Sequence, residues 1–158
     1  MKKAAFIVPV YYKGTSFERI SNSIMDCIQT RLLTIDSIII SSEMNTLAAD
    51  EFDNKNFYLH QLKAIDFAIS NINQYDRFLF IDFFNPGLDL LRYHLDKCSH
   101  DVKIASLLHG GSFIDGDLLN SNWIKSFEIA WSGLHDRIYV PSKYAYSHLP
   151  PFIANKAV

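Results

Sequence analysis

The feature that most constrains this chain is a regular alternation between two kinds of hydrophobic pattern. Short apolar runs rich in Ile, Val and Phe occur at residues 4–10, 35–41, 77–83, 102–108 and 137–140. Their nearly unbroken apolarity suits strands buried on both faces. Between them the periodicity becomes helical. Phe17, Ile20, Ile24, Ile28 and Leu32 form one stripe at spacings of three and four, and Leu62, Ile65, Ile69 and Ile72 form a second. Leu88, Leu91, Leu95 and Cys98 form a third, a fourth helix is predicted over 123–134, and a short fifth follows Ser142 and stops before Pro150-Pro151. Strand and helix alternating through five units predict an α/β domain, doubly wound, with a mostly parallel sheet of about five or more strands and helices on both faces.

Local signals agree with the pattern. Thr15-x-x-Glu18 after Gly14 has the form of a capping box, Asn85 with Pro86 reads as N-cap and first helical residue, and Asn120-Ser121-Asn122 precedes the fourth helix. A chain of 158 residues fits a single domain, here 1–158. With 49% hydrophobic and 20% charged residues it is neither disordered nor of low complexity, and a net charge of −2 provides no field to recruit nucleic acid. Cys27 and Cys98 make neither a disulfide framework nor a zinc site by spacing, and both thiols are expected buried and reduced. Met1-Lys2-Lys3 and the apolar run behind it outline a secretory leader, but Pro9, Tyr11 and Tyr12 interrupt it and no cleavage site follows. No run approaches a transmembrane span, so the expectation is a cytoplasmic protein. The aromatic content (12 Phe, 8 Tyr and 2 Trp) exceeds what one core asks for, and Tyr11, Tyr12, Phe83, Phe84 and Phe113 cluster in the strand-end loops, which points to a partner surface there.

In doubly wound sheets ligands bind beyond the carboxyl ends of the strands, which directs attention to four loops. In the first, Lys13, Gly14 and Thr15 could hold an anion at a helix N-terminus, or simply build a capped turn. This loop is neither G-x-G-x-x-G nor G-x-x-x-x-G-K-[ST], which disfavours ordinary dinucleotide or P-loop binding. In the second, Asp82 could orient a sugar-like hydroxyl and Asn85 stands beside it, with a carboxylate capping a loop amide as the plainer reading. The third, His109-Gly110-Gly111-Ser112, ends a buried strand in an imidazole and two bare backbone units, suited to general-base or polarising chemistry near neutral pH. Asp115 follows as a possible ligand-binding carboxylate. The H-G-G element of esterases also needs a G-x-S-x-G elbow, which is absent, so a hydrolase is excluded. No metal-ligand cluster is evident. His60 and His94 fall on helical patterns; His100, His135 and His148 fall near helix ends, where an imidazolium favours the dipole. Glu128 is expected to face solvent.

The order of these pieces resembles a known family. Glu128, followed by Asp136-Arg137-Ile138-Tyr139-Val140-Pro141-Ser142, resembles the E…aD-x-hydrophobic-x-x-S segment of two-domain GT-B glycosyltransferases of the group 1 / family 4 type. His109-Gly110 is similar to the histidine-glycine that ends a strand in their N-terminal Rossmann-like half. Lys13-Gly14-Thr15 resembles a reduced form of their first glycine-rich loop, lacking the usual Gly-Gly pair. The resemblance implies that 1–158 is an acceptor-binding half, inactive alone, with the nucleotide-sugar donor shared with a missing C-terminal domain. It implies His109 as the group facing the transferred sugar, Ser142 and the loop residues above as substrate-binding positions, and no metal or other cofactor. Glu128 and Asp136 have the spacing of the family's E-x7-E motif, but that motif belongs to the other half and its role is not carried over. A receiver module is disfavoured because the first loop has no acid. The alternatives left open are a stand-alone flavodoxin-like module that binds a ligand or partner without catalysis, and a small-molecule enzyme of another kind using His109.

Overall fold

The computed structural model describes residues 3–9, 16–31, 34–40, 55–113 and 122–158. Strands β1 (Lys3–Val8), β2 (Ile35–Ile39), β3 (Tyr75–Phe80), β4 (Lys103–Leu107) and β5 (Arg137–Tyr139) alternate with helices α1 (Ser16–Thr30), α2 (Lys55–Ser70), α3 (Leu88–Lys97), α4 (Asn122–Leu134) and α5 (Lys143–Ser147), and α6 (Pro151–Ala154) follows. The strands form one parallel sheet in the order β2-β1-β3-β4-β5. This is the doubly wound α/β architecture expected from the alternation.

The pleat of β1 shows why its run is almost wholly apolar. Ala5 and Ile7 face one layer, with Ala64, Ile65 and Ala68 of α2 and Leu88, Leu91 and Leu95 of α3. Phe6 and Val8 face the other, with Ile28, Phe17, Ile24 and Met25 of α1. β3 divides in the same way, Phe78 and Phe80 to the first layer and Leu79, with Ile81 just beyond the strand, to the second. Where a strand is covered on both faces it has no position for a charge, and the charges of β1 and β3 (Lys3, Asp76 and Arg77) fall at their amino ends.

Several local expectations need correction. α3 begins at Leu88, with Gly87 as N-cap at φ 90°, not with Asn85 as N-cap and Pro86 at the first helical position. The Leu88 amide donates to the Asn85 carbonyl, so residues 85–88 form a separate turn, and only a glycine enters the left-handed conformation that joins this turn to the helix cheaply. Cys98 is the C-cap of α3 and is exposed, while Cys27 is half-buried, so neither thiol belongs to the core. The helical stripe ends at Leu95 because the helix itself ends two residues later. Thr15, Asn120 and Ser121 lie outside the described residues.

The segment after Pro150 also has a structural role. Ile153 is buried against Trp131 and Ile138, and the chain then runs along the free edge of β5. There Ile138 donates to the Lys156 carbonyl and Val140 to the Val158 carbonyl. Lys156 Nζ donates to the carbonyls of Gly133 at 3.0 Å and His135 at 2.7 Å, a cation placed on the open C-terminus of α4. Arg92 of α3 reaches the Leu134 carbonyl and Asp136 Oδ2, and Asp136 Oδ2 also accepts from the Ile104 amide at 2.8 Å. Burial works to raise the Asp136 pKa, but the Ile104 amide and Arg92 outweigh it and hold the group below its usual value.

Candidate functional site at the carboxyl edge

The strand order reverses between β1 and β3, which makes the carboxyl ends of these strands the topological switch point. The loops after β3 and β4 meet beside it. His109, two residues beyond β4, donates through Nε2 to the carbonyl of Ile81, just beyond β3, and Phe17 of α1 meets the ring edge-on with centroids 5.4 Å apart. A carbonyl only accepts, so this bond places the proton on Nε2 and leaves the lone pair on Nδ1. Burial lowers the His109 pKa more than the Ile81 bond raises it, so the imidazole is neutral at pH 7. The group assembled here is a neutral imidazole with one acceptor nitrogen.

Asp82 lies on the same edge. Its Oδ1 accepts from the Phe84 amide at 3.2 Å, the turn-capping contact of the plainer reading. Asn85 is fully buried; its Nδ2 donates to the Asp82 carbonyl at 2.7 Å, and its buried Oδ1 has no hydrogen-bond partner. Ser142, beyond β5, is the N-cap of α5, where its hydroxyl accepts from the Ala145 amide at 3.1 Å. It lines a separate cavity of about 410 Å³ with Pro141, Lys143 and Tyr146. Thus the fold brings His109 to the Asp82–Asn85 turn and leaves Ser142 with α5. Lys13, Gly14, Thr15 and Asp115 lie outside the described residues. A larger cavity of about 520 Å³ opens at the amino ends of β3, β4 and β5, beside Arg77, Lys103 and Arg137. It holds none of the groups gathered at the carboxyl edge, and its lining comes from the strands and the residues at their amino ends.

Two residues depart sharply from expectation. Glu128 does not face solvent: it is 3% exposed and bound to Ser112. Its position gives the reason, for it falls four residues after Ile124 and three before Trp131, both buried, and so lies on the inward stripe of α4. That spacing was a readable signal. His135 is not an imidazolium at a helix end. It is 1% exposed, with Nδ1 donating to the Trp131 carbonyl at 2.8 Å and Nε2 accepting from Ser106 Oγ at 2.7 Å. Burial pushes its pKa down to about 4.

The expected loop cluster of aromatics is also revised. Phe83 is buried, and Phe84 and Phe113 pack half-buried on the same cluster around Trp131, so core packing accounts for all three. Tyr11 and Tyr12 lie outside the described residues. The exposed large apolar groups are others, including Ile39 at the end of β2, Leu59 in α2, Leu90 in α3, Trp123 and Phe127 in α4, and Tyr144 in α5. These six sit at a strand's carboxyl end or in the first half of the following helix, whereas exposed Tyr93, Ile129 and Tyr146 lie in the second half of theirs. No group of three or more metal-ligating side chains occurs among the described residues, and no described helix is long and apolar enough to cross a membrane.

No protein-family profile and no curated protein matches the chain. Solved structures do. The UDP co-structure of MnaA from S. aureus aligns with 100% of this chain and 43% of its own length, with TM-score 0.55 and 15% identity. The apo form of the lipopolysaccharide outer core galactosyltransferase WaaB aligns with 100% of this chain and 44% of its own length, with TM-score 0.56 and 15% identity. At such identity the likeness is one of fold alone, a Rossmann-like α/β fold. It spans less than half the length of either protein.

Proposed function

We propose that this chain is the N-terminal, acceptor-side domain of a GT-B glycosyltransferase, which moves a sugar from a nucleotide-sugar donor to a glycan, lipid or small-molecule acceptor in the cytoplasm. The observation that carries the reading is the neutral imidazole of His109 at the carboxyl edge, beside the switch point of a fold shared with a galactosyltransferase and a UDP-bound protein. With Nε2 given to Ile81, the ring offers Nδ1 as an acceptor, which suits a hydroxyl donated by a sugar ring. Half-buried Asp82 stands on the same edge as a second polar group. The donor would be shared with a second α/β half, which also fits the apolar groups exposed around this edge. The diphosphate charge would be met by helix N-termini and basic groups, Lys13 among them, without a metal ion.

UDP is the first probe. Titrated with UDP and with UDP-sugars, the isotope-labelled chain should show amide shifts at residues 82–87 and 109–112, and none around Arg77, Lys103 and Arg137. Shifts confined to the latter group would move the site to the other end of the sheet and end this reading. The strand order β2-β1-β3-β4-β5 is also that of flavodoxin-like domains, which favours a stand-alone ligand-binding module as the second reading. A purified protein carrying yellow flavin absorbance would select it.

A further inference from the structure

Glu128 is a buried carboxylate for which the proposed chemistry has no use. Carboxylates are rarely buried this fully without partners, because desolvating the charge is expensive. Here two donors of one residue converge on it. The Ser112 amide donates to Oε1 at 3.0 Å and Oε2 at 3.2 Å, and the Ser112 hydroxyl donates to Oε2. The carboxylate also stands against the neighbouring glycine: a Cβ on Gly111 would lie 3.2 Å from Glu128 Oε1 and 3.3 Å from Leu108 Cδ1. Gly111 does not have the positive φ seen at Gly87. A side chain there would press on both the carboxylate and Leu108.

We propose that Glu128 is a positioning residue, clamping Gly111 and Ser112 so that His109 is held with Nε2 on the Ile81 carbonyl. The idea rests on His109 being the ligand-facing group of the carboxyl edge. Residues 108–111 span the distance from the end of β4 to the clamp, so the imidazole sits on a short stretch fixed at both ends. The carboxylate offers both of its oxygens to the two converging donors. A glutamine has one acceptor oxygen and would turn its NH₂ group toward a donor.

The test reads the ring nitrogens of His109 and His135 by ¹⁵N NMR, because their tautomers are opposite. The partners assign His109 as the Nε2–H form and His135 as the Nδ1–H form. In Glu128→Gln the two His109 nitrogens should collapse toward the averaged shifts of a freely tautomerising ring. Exchange of the Ser112 amide should quicken about tenfold or more, the scale of one charge-assisted hydrogen bond. His135 should keep its pattern and report an intact fold. Unchanged His109 nitrogens in a folded Glu128→Gln protein would overturn the proposal. If that variant does not fold, Ser112→Ala keeps the carboxylate and removes one donor, and it should loosen His109 in the same direction. Loss of the His135 pattern together with that of His109 in both variants would make Glu128 a general support of the fold, which also overturns the proposal. None of these readings involves a sugar. Failure here leaves the proposed function standing, and failure of UDP-sugar binding leaves the clamp standing.

Discussion

Acidification should destabilise this protein, and one buried imidazole should account for a measurable share of the loss. His135 is held neutral between the Trp131 carbonyl and Ser106, with its ring stacked on Phe83 at 5.0 Å, and burial lowers its pKa from 6.5 to about 4. Its folded pKa lies below the unfolded value, so the unfolded chain takes up a proton that the folded chain refuses. The stability linked to His135 is therefore complete above about pH 6.5 and drains away as pH falls toward 4. A shift of this size corresponds to about 3 kcal/mol in full, of which about 2 kcal/mol is lost between pH 7 and pH 5. For a chain of this length that is a drop in Tm of about 4–8 °C. The assay is urea unfolding followed by circular dichroism at the two pH values, in the wild-type chain and in His135→Gln. The variant starts less stable but lacks the titrating group. The His109 pKa is also lowered by burial, and its contribution is common to both proteins and cancels in the comparison. The wild type should lose about 2 kcal/mol more than His135→Gln on going from pH 7 to pH 5. Equal losses would refute the assignment of a buried neutral imidazole.

Three further outcomes are expected. Gly111→Ala should destabilise the chain by about 1–3 kcal/mol, as overpacking does, and the penalty should shrink by about 1 kcal/mol in a Glu128→Ala background; strictly additive unfolding energies would show that the carboxylate is not what excludes a side chain. Gly87→Ala should cost about 1–2 kcal/mol for the left-handed backbone alone, with a further strain because its Cβ would stand 3.0 Å from Leu62 Cδ2; an unchanged midpoint in chemical unfolding would contradict the φ of 90°. In the native chain a maleimide should label exposed Cys98 before half-buried Cys27, as read by mass spectrometry of the digested protein, and the reverse order would place Cys98 back in the core.

The fold was legible because its dominant signal is collective. β1 and the second half of β3 are apolar runs buried on both faces, and the longer helices repeat their stripes at the helical period, so single-residue departures leave the order of elements unchanged. Errors arose where one residue's fate depends on a distant partner. Asn85-Pro86 looks like a helix start, yet Gly87 alone decides where α3 begins. His135 resembles a helix-end cation until Ser106, far away in sequence, supplies the donor that suits a neutral ring. Glu128 was misjudged because its charge was weighed above its phase: Ile124 and Trp131 mark its position as inward, but only Ser112 shows why a carboxylate tolerates burial there. At the site, His109 was visible as a histidine ending a strand before two glycines. Which nitrogen carries the proton follows from the Ile81 carbonyl across the sheet, which no local pattern reveals.

The central claim is that His109 faces a sugar during transfer from a nucleotide-sugar, and turnover by the natural-length protein tests it most directly. Release of UDP from a panel of UDP-sugars, with candidate acceptors present, should be measured for the wild type and for His109→Ala. Turnover in the wild type should fall by about 100-fold in the variant, the usual scale for one positioned catalytic group. A wild-type protein that turns over no nucleotide-sugar, or a His109→Ala protein that does so at the wild-type rate, would contradict the account.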